Sequence, residues 1–263
     1  MSDAGWLFGD RQRADSFGDN AAQYDRVRPT YPAEMIDMLV ADNPRTALDV
    51  GCGTAIAGRL LVARGLEVLG LEPDQRMATV ARGHGIAVEE ATFEDWNSRT
   101  RTFDLLTAGQ AWHWVDPHAG AMKAARVLVP GGRIGLFWNQ PQPDGPARQA
   151  MDVAYAQHAP LLAVSTVLLG QRDISLYEGM AAALRQTGRF ESVALSMFEH
   201  RITYETEQWL SLTATHSDHH TLPADQLASL LLALRQGLEA VGGRFSVRYE
   251  TVLVGGQTVI APD

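Results

Sequence analysis

Residues 46–57 read TALDVGCGTAIA. TALDV is short, apolar and β-prone. Gly51 and Gly53 follow at once, and Ile56, Leu60, Leu61 and Ala63 then recur at helical spacing. The pattern is a strand feeding a glycine turn and a helix. Without Cβ atoms, Gly51 and Gly53 let the backbone turn sharply and a ligand approach closely. An ordinary tight turn between strand and helix is the competing account. A dinucleotide fingerprint would place a third glycine where this chain has Ile56, so that the helix could pack tightly and face a pyrophosphate. The β-branched side chain of Ile56 compromises that cradle.

Outward from the turn, strand-like and helix-like patterns alternate through the first 140 residues. Gly65 is placed to end the first helix. LEVLGLEP reads as a second strand, and Asp74 as the N-cap of the helix that follows. IAVEEAT and FDLLTAGQA read as the third and fourth strands. Asp116 and Pro117 start a further helix, VPGG makes a turn, and RIGLFWN is the fifth strand. Strands separated by helices imply βαβ units. The fold class is therefore α/β, a doubly wound, Rossmann-like sheet.

The second half changes character. QPQPDGP (140–146) reads as a proline-rich break before helical segments. VALSMFEHRITY and FSVRYETVLVGGQ are two more strands, with a helical insertion between them. They are expected to extend the same sheet, with an antiparallel strand near the C-terminus and the helices as a cap. One domain is expected over 1–263, made of a lid (1–44), a cofactor-binding core (45–139) and the C-terminal strands with their cap (140–263).

Glu72 ends the second strand about twenty residues after the first glycine, where an acidic side chain accepts hydrogen bonds from two ribose hydroxyls. Turn and acid together point to a ligand with a ribose but no pyrophosphate bridge. Composition narrows the partners. The formal net charge is −9, whereas nucleic-acid and anionic-membrane binders normally show a basic face, so neither partner is expected. The single cysteine, Cys52, excludes an intrachain disulfide and zinc sites built from several thiolates. Inside the glycine turn it reads as a small residue that fits. The N-terminus lacks signal-peptide order, and no apolar run approaches the ~18 residues of a membrane span. A cytoplasmic location is expected.

In order, LDVGCGTAIA, LGLEPD, FED, FDLLTAGQAWHWVD and RVLVPGGRIGLFWN resemble the motif series of class I S-adenosylmethionine-dependent methyltransferases. The opening FGDNAAQYDRVRPTYP and the element QAWHW are similar to those of the small-molecule subgroup around trans-aconitate methyltransferase. The resemblance implies S-adenosylmethionine as cofactor and a small-molecule acceptor, methylated at a carboxylate or hydroxyl oxygen. It also implies that Gly51 and Gly53 face the methionine part of the cofactor and that Asp49 holds its amino group. Glu72 would take the ribose, Pro73 would lie on the adenine, Phe93 and Glu94 would meet the adenine edge, and Gln110 would stand at the methionine end. Tyr24 and Arg28 are candidates for the cofactor's carboxylate, a solvated turn being the alternative for RVRPTYP. One departure is Ala55, where the family commonly has glycine.

Methyl transfer needs alignment and exclusion of water more than acid–base chemistry. His113 is the candidate general base for a hydroxyl acceptor, or else a structural histidine orienting its loop. Trp112 and Trp114 are candidates for the acceptor pocket. Trp138 reads as buried. HSDHH (216–220) has metal-like spacing, but a polar loop near the acceptor explains it, and no metal is expected. Arg11, Arg13 and Arg201 are candidate clamps for a carboxylate acceptor. Two other readings stay open: a nicotinamide-dependent oxidoreductase, which Ile56 opposes, and a cofactor-binding protein of the same fold without turnover.

Overall fold

The computed structural model describes residues 18, 20–143, 145–163 and 174–260. Seven strands pair into one sheet: β1 (Thr46–Val50), β2 (Glu67–Leu71), β3 (Ala87–Glu89), β4 (Phe103–Gly109), β5 (Leu128–Pro143), β6 (Phe190–Glu205) and β7 (Arg244–Thr258). Their order is β3-β2-β1-β4-β5-β7-β6. The first five are parallel neighbours, and β7 runs antiparallel between β5 and β6. The order reverses beside β1, which opens a crevice beyond the carboxyl ends of β1 and β4. The sheet is thus the doubly wound, mostly parallel one expected, with its antiparallel strand near the C-terminus.

Among the described residues ten helices flank it: α1 (Ala21–Val27), α2 (Ala33–Leu39), α3 (Ile56–Val62), α4 (Gln75–Gly83), α5 (Pro117–Val127), α6 (Gly145–His158), α7 (Pro160–Ala163), α8 (Ser175–Gln186), α9 (Thr206–Thr213) and α10 (Ala224–Ala240). Local chemistry sets their ends. Beyond α3, Gly65 takes φ +89° and its N–H donates to the Val62 carbonyl at 2.9 Å. The Asp74 side chain accepts from the Arg76 N–H at the start of α4. Asp116 accepts from the N–H groups of His118 and Ala119 at the start of α5, with Pro117 in the first turn.

Alternation along the strands separates the two faces. Leu136 and Trp138 pack with Met180 and Leu184 of α8. Phe137 between them packs with Met35 and Ile36 of α2 and Leu61 of α3.

The proline-rich stretch after the fifth strand is not a break. Gln140–Pro143 continue β5 and pair with Glu250–Val247 of β7. The carbonyl of Phe137 accepts from Gln110 on the β4 side, so by period two Pro141 and Pro143 turn their missing N–H groups to that side too. Pairing with β4 has ended at Phe137, and no donor is needed there. The long ends of β5, β6 and β7 therefore project past the crevice and carry the cap. Leu230, Leu234 and Leu238 of α10, spaced by four, are fully buried with Met151 of α6, Trp209 of α9 and Phe245 and Val247 of β7. Each such leucine contributes about 1.5–3 kcal/mol.

Candidate active site

The glycine turn is built as its sequence requires. Gly51 and Gly53 have φ +61° and +57°, and a Cβ on Gly51 would stand 2.6 Å from that of Ala111. The turn is tied to β2 by the Cys52 N–H donating to the Leu71 carbonyl at 3.0 Å. Glu72 then closes it from the tip of β2. Its two carboxylate oxygens accept from the N–H groups of Gly53 and Asp74, each at 2.9 Å. Burial pushes this carboxyl up to about 7, against the pull of the two backbone donors.

Asp49, at the end of β1, is buried as well. Its Oδ1 accepts from the Thr107 hydroxyl at 2.7 Å, and its buried Oδ2 makes no well-formed hydrogen bond, the Gly58 N–H of α3 lying nearby. Burial raises this carboxyl to about 6. A buried acid at a cavity wall with spare acceptor capacity can take a donor from a ligand.

One cavity gathers most of the residues that the sequence singled out. Asp49, Gly51, Gly53, Glu72, Pro73, Phe93, Glu94, Gln110, Tyr24 and Trp114 all line it. Gln110 sits at φ +57°, its N–H bonded to the Phe137 carbonyl. A non-glycine residue in this conformation next to a binding cavity is where strain is commonly stored. Glu94 gives one oxygen to the Asp116 N–H at 2.9 Å, so it also fixes the entry to α5. Ile56 lies in the wall at the start of α3, where a pyrophosphate would need room. Tyr31 lines the cavity too, edge-on to Phe137. Sequence reasoning quoted it only within the opening motif, because nothing local distinguishes a cavity-wall tyrosine from a core one.

Helix α1 lies over this cavity through Tyr24. Asp25 anchors it, pairing with Arg59 at 2.7 Å and His84 at 2.8 Å. Cys52 is the small buried residue expected. A Cβ on Gly70 would come within 2.6 Å of its sulfur, and burial pushes the thiol well up.

Four expectations meet different geometry. Arg28 does not line the cavity. Its Nε and Nη2 donate to the Thr215 hydroxyl and carbonyl, at 3.0 and 2.7 Å, because the C-terminus of α1 abuts the segment after α9. Trp112 is buried in the core against Phe93 and is not a cavity residue. The WHW element is a single 3₁₀ turn, and Trp112 is its buried residue. His113 accepts the Trp138 indole N–H on Nδ1 at 3.1 Å. Its neutral proton is then on Nε2, which makes the ring a donor and leaves no free nitrogen base at Nδ1. Trp138 itself is buried beside Tyr177. Arg201 is exposed on β6, away from the cavity wall, and Arg11 and Arg13 lie outside the described residues.

His216, Asp218 and His219 bring ligand atoms within 4.8 Å of one another, yet hydrogen bonds account for the buried His219. Its Nδ1 faces Asp218 at 2.8 Å and its Nε2 the Tyr155 hydroxyl at 2.9 Å. Burial keeps that phenol protonated, so the chain runs from Tyr155 through His219 to Asp218 and joins α6 to the loop before α10.

Residues 48–136 match a family described as "Methyltransferase domain". An uncharacterized methyltransferase of Mycobacterium tuberculosis is 41% identical over 131 residues, 47% of this chain and 52% of that protein. A trans-aconitate 2-methyltransferase of Methylobacterium nodulans is 35% identical over 127 residues, 44% of this chain and 48% of that protein. The chain thus spans about half the length of the curated relatives it matches. A putative type II methyltransferase from Anaeromyxobacter dehalogenans shares the fold, with a TM-score of 0.62 at 23% identity over 90% of this chain and 99% of that one. Among the described residues no helix is long and apolar enough to cross a membrane.

Proposed function

We propose that the chain, whose residues 48–136 match a methyltransferase-domain family, transfers a methyl group from S-adenosylmethionine to an oxygen of a small-molecule acceptor. The observation that carries the reading is Glu72. This buried carboxylate is aimed by two backbone N–H groups at the rim of a glycine turn, in a wall where Ile56 stands in place of a pyrophosphate cradle. A ribose diol fits that acceptor. The buried carboxyl of Asp49, with spare acceptor capacity on Oδ2, fits the cofactor's ammonium group, directly or through water. Pro73 and Phe93 supply apolar surface for the adenine, and Glu94 an acceptor for its amine. Gln110 and Tyr24 flank the methionine end.

When bound, the cofactor supplies a methyl group on a sulfonium, so the protein needs no nucleophile of its own. The chain's residues then align the acceptor and exclude water: Trp114 and Tyr31 in the cavity wall, α1 over it and the cap beyond β5. With the Nδ1 of His113 bonded to the Trp138 indole, a general base is not at hand there. That favours a carboxylate, already ionised at neutral pH, over a hydroxyl. No protein proton has to move.

Calorimetric titration of the protein with S-adenosylhomocysteine and, separately, NADH tests this reading. Micromolar binding of the first and none of the second is expected. Glu72→Ala should weaken S-adenosylhomocysteine about 10- to 100-fold (about 1.4–2.8 kcal/mol), the worth of two hydrogen bonds to a charged acceptor. Unchanged affinity in the variant overturns the ribose assignment, and preference for NADH overturns the function.

A further inference from the structure

Of the 22 lysines and arginines in the sequence, Lys123 alone is a lysine. It stands half-buried on α5, and its ammonium serves backbone. Nζ donates to the Glu94 carbonyl at 2.9 Å and to the Trp96 carbonyl. It lies 5.4 Å from the Phe93 ring centroid and 5.9 Å from that of Trp96. Two carbonyls and two aromatic rings around one point suit a compact ammonium with three donors better than a planar guanidinium fork. Burial lowers the Lys123 pKa, so these contacts offset a loss of hydration. They converge on one turn. Residues 92–96 follow β3, and the Trp96 N–H closes them by donating to the Thr92 carbonyl at 3.0 Å. The turn puts Phe93 and Glu94 in the cavity wall. The Asp116 N–H at the start of α5 holds one Glu94 oxygen at 2.9 Å. One helix therefore grips Glu94 by its carboxylate and, through Lys123, by its backbone.

We propose that Lys123 is a positioning residue for the base of the cofactor, and that by fixing the 92–96 turn it sets the selectivity for a 6-amino over a 6-oxo purine. The inference rests on the methyltransferase reading, in which Glu94 accepts from the adenine amine, and deepens it. An inosine ligand presents a carbonyl oxygen where adenosine presents an amine. Facing the Glu94 carboxylate, that oxygen finds an acceptor and no donor, so a site built for the amine rejects it. The rejection lasts only while the carboxylate is held in place. With the two carbonyls released from Lys123, the turn can relax and Glu94 can turn to water. Phe93 and Pro73 then still offer apolar surface to either base, and the discrimination is lost before the binding is.

The test titrates the full chain calorimetrically with S-adenosylhomocysteine and with S-inosylhomocysteine. The wild-type protein should prefer the adenosine ligand by about tenfold or more. Lys123→Met keeps an apolar stem without the donors. It should lower S-adenosylhomocysteine affinity about tenfold and S-inosylhomocysteine affinity by no more than about twofold, so most of the preference disappears. Lys123→Arg, which keeps the charge but sets its donors in a plane, should retain an intermediate preference and gives the comparison if the methionine variant does not fold. A tie that only stabilises the fold would lower both affinities alike, or the urea midpoint alone. An unchanged preference in every variant that folds therefore overturns the proposal and leaves the cofactor reading intact. Equal wild-type affinity for the two ligands overturns it as well, by removing Glu94 as the reader of the base. Failure of the wild-type protein to bind S-adenosylhomocysteine at all would remove the methyltransferase reading and the proposal with it.

Discussion

The cavity around the glycine turn and the cap beyond β5 are built from the same kinds of side chain but by opposite means. At the turn, functional groups are held mainly by backbone: Glu72 by the N–H groups of Gly53 and Asp74, Gln110 by its own left-handed φ. In the cap, polar groups are fixed by partners distant in sequence. Tyr155 meets His219 across 64 residues, and Arg28 meets Thr215 across 187. The first region is preorganised by backbone at the strand ends, the second by side chains packed across the cap. Damage to each should therefore appear in a different measurement.

The largest separation is expected from His219→Ala. It removes one partner each from the Tyr155 hydroxyl and the Asp218 carboxylate and leaves a void at a fully buried position. The loss should be about 3 kcal/mol of unfolding free energy in urea. Affinity for S-adenosylhomocysteine should stay within about twofold. A parallel loss of cofactor binding would mean that cap and turn form one cooperative unit, and the distinction would fail.

His113→Ala sharpens the boundary. His113 follows β4 at the ligand edge, yet its Nδ1 serves the buried Trp138 indole. Removing the acceptor leaves that N–H unsatisfied in the core, at about 1–3 kcal/mol of stability, again with cofactor affinity within about twofold. If stability does not change, the imidazole is not a structural acceptor, and its role as the acceptor's base is reopened.

This division also explains what could be read from one dimension. The class of the sheet, the cap-bearing C-terminal strands and the cavity residues from Asp49 to Gln110 were legible because they follow from short patterns: a strand, a turn, an acid at the next strand's end. Trp112, His113 and Arg28 were not, since each direction depends on a neighbour the local pattern does not contain: Phe93, Trp138 and Thr215 respectively. QPQP misled for a related reason. Proline disfavours a strand interior in general, but here it meets an edge where β4 has stopped pairing.

The smallest expected effect belongs to Ala55, where the motif series commonly has glycine. Ala55 has φ +64°, which costs an L-residue about 1–2 kcal/mol. Glycine would relieve that strain. However, it would lose about 0.5–1 kcal/mol to the freer unfolded chain and about 0.8 kcal/mol for a methyl group that is fully buried in a cluster with Ala81 and Ile86. These terms nearly cancel, so Ala55→Gly should shift unfolding free energy by no more than about 0.5 kcal/mol. The methyl is also absent from the cavity wall, so S-adenosylhomocysteine affinity should not change beyond about twofold. A tenfold gain in affinity would show instead that the side chain obstructs the cofactor, and the turn would then be an adapted site rather than an intact one.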